Sequence, residues 1–108
     1  MTNLNPRELS FLYILAFNSV DEDNDKLELQ MDAIDSLLNL NGLGPYSDVV
    51  IDEDAYPLNS RISPEDYFYV FNRVTAPNSP LPFFITWWLN NDKPLSAEEL
   101  ATLIKIIL

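Results

Sequence analysis

Asp25, Glu28, Asp32 and Asp35 recur at i, i+3, i+7 and i+10. On a helix this spacing stacks four carboxylates in one band, because residues three and four apart share a face. The band is about 80° wide and lies about 120° from the centre of the apolar face of the same segment. Carboxylates placed this way can take a hard cation, exchange protons or meet a cationic partner. They belong to a longer acidic stretch, Asp21 to Asp54, which holds eleven carboxylates against one cation, Lys26. The whole chain carries −11, so nearly all of its net charge lies in that stretch.

The cation reading has a specific form. Asp21, Asp23, Asp25 and Asp32 fall where a twelve-residue calcium loop has its first, third, fifth and last ligands. The pattern resembles an EF-hand loop in those four positions only. Lys26 stands where the turn needs glycine, and Asp32 stands where the bidentate glutamate belongs. Asp48 and Asp52-Glu53-Asp54 form another acidic cluster, without ligands of defined geometry. There is no histidine and no cysteine. Zinc, haem and iron–sulfur sites lose their usual ligands, and Ser–His or Cys–His nucleophiles are excluded. No metal and no cofactor are expected.

Proton exchange is no better supported. A carboxylate pair can act as general acid and base. Among seventeen acids some pair always lies close, and nothing singles one out. The chain reads as a non-enzyme. What remains is charge: a solvated face that keeps the protein soluble, or a surface for a basic partner. An anionic face repels phosphate backbones and acidic lipids, so direct nucleic-acid or membrane binding is not expected.

A second feature is aromatic. Tyr67, Phe68, Tyr69, Phe71, Phe83, Phe84, Trp87 and Trp88 lie within twenty-two residues. Most belong in a core, yet adjacent residues on a helix diverge by about 100° and cannot all face inward. Tyr and Trp left at the surface are common interface anchors. Tyr69 and one of Trp87 and Trp88 are the candidates.

The elements that must position these residues are legible. Asn5-Pro6-Arg7-Glu8, Ser63-Pro64-Glu65-Asp66 and Ser96-Ala97-Glu98-Glu99 are helix starts. Each satisfies orphan backbone N–H groups and puts negative charge at the positive end of a helix. Asp25 with Glu28 is a weaker start. The first helix is predicted from Pro6 to about Asn18. Leu9, Leu12, Tyr13 and Ala16 line one side, and Phe11, Ile14 and Leu15 most of the rest. Such a helix is either central to the fold or covered by another subunit.

The second helix runs to about Leu40 on Leu27, Met31, Ile34, Leu37 and Leu38, stopped by Asn41-Gly42. Val49 to Ile51 offers a short strand, and Ala55 to Ile62 a loop. A third helix spans Pro64 to about Val74. Pro77, Pro80 and Pro82 read as a stiff connector. Phe83 to Leu89 fits a strand or a helical turn, with i, i+3, i+4 spacing of Phe84, Trp87 and Trp88 favouring helix. The last helix spans Ala97 to Ile107.

These elements predict one mainly α domain over residues 1–108, a bundle of four to five helices with at most a short β element near 48–51. The expected function is that of a small cytoplasmic acidic binding protein, an inhibitor or immunity-type protein that mimics nucleic acid. Its partner would be a basic protein, such as a nuclease, a restriction or CRISPR effector or a DNA-binding protein. Asp25, Glu28, Asp32, Asp35, Asp52, Glu53 and Asp54 would meet that partner, with Tyr69 and Trp87 as anchors. The alternative is a non-catalytic subunit or assembly chaperone using its apolar helices. The apolar first helix and the C-terminal Leu103-Ile104-Lys105-Ile106-Ile107-Leu108 also predict a homodimer.

Overall fold

In the computed structural model the described residues are 2–20, 25–48, 61–91, 93 and 95–108, with side chains of the second helix described from Glu28 onward. Five α-helices run in the order α1 (Pro6–Val20), α2 (Asp25–Leu40), α3 (Pro64–Val74), α4 (Leu81–Asn90) and α5 (Ala97–Ile107). A 3-10 turn, Tyr46–Asp48, follows α2. No strand occurs among the described residues. Val49 to Ile51, read from sequence as a strand, lie outside them, as do Asp52, Glu53 and Asp54 and all but the end of the expected Ala55–Ile62 loop.

The caps form as their residue types require. Asn5 Oδ1 accepts from Glu8 N at 2.8 Å, and Glu8 Oε1 accepts from Asn5 N at 2.9 Å. Ser96 and Glu99 make the same reciprocal pair, both bonds at 3.1 Å. At α3, Ser63 Oγ accepts from Asp66 N at 3.2 Å. Each such cap contributes ~1 kcal/mol. The end of α2 is as well specified. Leu43 N donates to Leu38 O, and Gly42 N to Asn39 O, around Gly42 at φ 76°. This is the Schellman pattern, and its left-handed residue favours glycine.

One expectation is corrected at α4. Pro80 and Pro82 do not form a connector ahead of a helix beginning at Phe83. The helix starts at Leu81, and Pro82 sits in its first turn. Backbone N–H groups of a first turn have no partner within the helix, so proline costs no helical hydrogen bond there.

Packing centres on α1, which contacts each of the other four helices. Leu9, Phe11, Leu12, Tyr13, Ile14, Leu15 and Ala16 are all buried. Of the two explanations for an all-round apolar helix, central placement holds: other helices of the same chain cover it. α3 and α4 pack on each other, as do α2 and α5. Trp88 fills the interior between them and is fully buried. Its indole N–H donates to Ser19 Oγ at 3.0 Å, and Ser19 Oγ donates to Leu15 O at 2.8 Å. Gln30 Nε2 on α2 donates to the Trp88 carbonyl. A buried indole needs such a partner, and here it ties α1, α2 and α4 together.

Candidate functional site

Glu28, Asp32 and Asp35 of the predicted acidic band share one side of α2 but are not equivalent, and the side chain of Asp25 lies outside those described. Glu28 and Asp32 are exposed, and no cation pairs with either among the described residues. Asp35 is half-buried, and its Oδ1 accepts from Tyr46 N at 2.9 Å. That bond caps the 3-10 turn after α2, so Asp35 holds the backbone as well as carrying charge. Asp25 begins the helix.

Two side chains missed by the sequence reading share the outer side of α2, Leu29 within a turn of Glu28 and Asp32 and Leu40 at the far end of the helix. Leu29 is 52% exposed and Leu40 is 53% exposed, both on the solvent side of α2. Their angular position was a readable signal: they fall outside the apolar stripe of Ile34, Leu37 and Leu38, where a leucine buries little surface. An acidic face with apolar side chains interspersed can offer both steering charge and area that loses water on contact.

The aromatic candidates lie elsewhere. Trp87 is exposed on α4, near the still more exposed Phe83, while Trp88 is in the core. Tyr69 is exposed on α3 but surrounded by cations. The Arg7 guanidinium lies 3.7 Å from its ring centroid, and Arg73 Nη1 donates to its hydroxyl at 3.4 Å. The Arg73 hydrogen bond, then the Arg73 charge, and more weakly Arg7 pull the Tyr69 phenol below its usual pKa. Tyr69 thus belongs to a basic pocket instead of the acidic face.

That pocket is the second charged region. It holds about 230 Å³ and is lined by Asn5, Arg7, Glu8, Tyr69, Arg73, Lys105 and Leu108. Caps at the starts of α1 and α3 position it. Glu8, which caps α1, also accepts from Lys105 Nζ at 3.0 Å. Asp66, in the first turn of α3 and bonded to the Ser63 cap, accepts from Arg7 Nε at 3.3 Å. No single stretch of sequence contains this pocket. The one local clue is Tyr69 and Arg73 at i, i+4.

An apolar groove of about 240 Å³ lies on the other flank of α3, lined by Ile14, Phe17, Tyr67, Phe71 and Val74. No group of three or more carboxylates converges to hold a metal ion among the described residues. No helix among them is long and apolar enough to cross a membrane. No family model, curated protein or solved structure matches the chain.

Proposed function

We propose that this protein is a small acidic binding protein that engages a basic site on another protein through the outer face of α2. One observation carries the reading: Glu28 and Asp32 stand exposed one turn apart with no counter-ion among the described residues, with half-exposed Leu29 within a turn of both and Leu40 about two turns further along α2. Like charges at i, i+4 destabilise a helix by ~0.2–0.5 kcal/mol, and no cation among the described residues relieves them. A partner's Arg and Lys side chains would. Nucleases, restriction or CRISPR effectors and DNA-binding proteins carry such cations because they bind phosphates. The acidic face would compete with nucleic acid for them, which is how an inhibitor or immunity-type protein acts. Charge complementarity chiefly speeds encounter, and Leu29 and Leu40 would add contact that slows release.

The test is affinity capture from the native host with mass spectrometry, at low and high salt. A partner rich in Lys and Arg is expected, with capture lost as salt rises. The double substitution Glu28→Lys with Asp32→Lys should weaken its binding by more than about tenfold, mainly through slower association. Asp35 is left intact because it caps the 3-10 turn. A folded double variant that binds with unchanged affinity and salt dependence would reduce the face to a solvated surface.

A second reading rests on a different observation. Phe83 is 76% exposed, and Trp87, Phe68, Phe71 and Phe17 are also exposed. A subunit or assembly chaperone would use these aromatics as its interface. Its complex would survive high salt and the α2 substitutions, and would be lost with Phe83→Ala and Trp87→Ala.

A further inference from the structure

The chain has six cations against seventeen acids. Three of the six, Arg7, Arg73 and Lys105, nevertheless converge on the single pocket between the N-terminus of α1, the outer side of α3 and the C-terminal turn of α5. Carboxylates neutralise them only in part. Glu8 Oε1 answers Lys105 at 3.0 Å, and Asn3 O takes another of its protons at 2.7 Å. Asp66 answers Arg7 through Nε alone, at 3.3 Å. Arg73 has no carboxylate partner among the described residues. Its polar contact is with the Tyr69 hydroxyl.

The donors that remain point to a ligand. A guanidinium has five N–H groups. Arg7 lays its face on the Tyr69 ring, 3.7 Å from the centroid, which leaves both Nη groups at its edge without a protein acceptor among the described residues. Arg73 donates only through Nη1, and weakly. Tyr69 accepts that bond, so its own proton is free to donate. Three helices therefore bring cationic donors, and one phenol, to one small volume.

We propose that this pocket binds a phosphate group. A carboxylate has two coplanar oxygens and satisfies one guanidinium fork. Donors arriving from α1, α3 and α5 suit a tetrahedral anion, whose oxygens point in more directions. The guanidinium on the Tyr69 ring is pre-organised for such contact. The protein's net negative charge does not forbid it, because fields from charges beyond about 8 Å are largely screened at physiological salt. The inference is independent of the reading of α2, and either can fail alone.

The experiment is a titration of the full chain with inorganic phosphate at constant ionic strength, followed by NMR of amide and arginine side-chain N–H signals. Saturable shifts are expected at Arg7, Tyr69, Arg73 and Lys105. Arg73→Ala should weaken binding by more than about tenfold, as expected for loss of a charge-assisted hydrogen-bond donor. It should fold normally, because Arg73 makes no ion pair among the described residues. Tyr69→Phe keeps the ring under Arg7 and should weaken binding less. Lys93→Ala, which removes an exposed cation outside the pocket, should change nothing. Phosphoserine is run in parallel. Tighter binding than inorganic phosphate identifies an ester on a larger molecule as the source, and equal binding identifies the free anion. The proposal is overturned if shifts grow linearly without saturation, if Arg73→Ala titrates like the parent, or if acetate binds as well as phosphate.

Discussion

The acidic face of α2 and the basic pocket at the start of α1 differ less in sign than in what their carboxylates are attached to. In the pocket, Glu8 holds the Asn5 N–H and the Lys105 ammonium, and Asp66 holds Ser63 Oγ and Arg7. On α2, Glu28 and Asp32 hold nothing among the described residues. The difference teaches that a count of acids measures charge, whereas the groups each acid touches separate structure from surface. Asp35 shows this within one helix: it shares the band of Glu28 and Asp32 but behaves like Glu8, because it caps a turn.

The contrast is strongest at Glu8, which is buried. Glu8→Ala removes the cap from the Asn5 N–H and leaves a part-buried ammonium without its anion. A loss of about 2–3 kcal/mol is expected in urea unfolding. Glu8→Gln should recover part of it, since an amide oxygen still accepts from Asn5 N. A loss below about 0.5 kcal/mol would place the pair with ordinary surface ion pairs.

Within α2 the comparison can be sharpened with two single variants. Asp35→Ala should cost about 1–2 kcal/mol, through loss of the bond to Tyr46 N. Asp32→Lys should instead stabilise by about 0.5 kcal/mol, because it turns a repulsive i, i+4 pair with Glu28 into an attractive one. Thermal or chemical unfolding reads both. Equal changes of the same sign would erase the distinction drawn here.

The smallest effect concerns Tyr69. Its phenol pKa is lowered, first by the Arg73 hydrogen bond and then by the Arg73 charge. The ionised form is therefore favoured in the folded state. At neutral pH both states hold the proton and stability is untouched. The contribution appears as pH rises through the folded value and is complete above the unfolded value of about 10. Ultraviolet titration of the Tyr69→Phe variant against the parent should assign the Tyr69 ionisation, and Arg73→Ala should move that ionisation upward.

Much of the architecture was legible because the helix ends are chemical. Ser63-Pro64, Ser96 with Glu99, and Asn41-Gly42 bound α3, α5 and the end of α2 where the sequence places them. The start of α4 was misread because prolines suggest a break, although the first turn tolerates them. The candidate site was legible only in part. The i, i+3, i+7, i+10 spacing located Glu28 and Asp32 on one exposed face, since helical angle alone decides that. It could not show that Asp35 reaches Tyr46, because that contact depends on how the chain folds back after Gly42. Nor could it show that Tyr69 meets Arg7 and lies beside Lys105, since those residues come from three separate helices. The apolar excess of α1 predicts a homodimer from sequence. In the fold most of that excess is covered within one chain, so a dimer would have to use exposed side chains such as Phe83, Trp87 or Ile106.

The central position of α1 also sets an order of events during synthesis. This helix leaves the ribosome before any of the four that cover it, and α5 follows only after α2, α3 and α4. Until then Phe11, Leu12 and Leu15 have no complete shelter. Partly made chains therefore present a sticky segment that a holding chaperone would recognise, and folding to the closed bundle waits on the C-terminal helix. The acidity of the stretch that emerges directly after α1 then has a second use, since mutual repulsion keeps unfinished chains apart while that helix is bare.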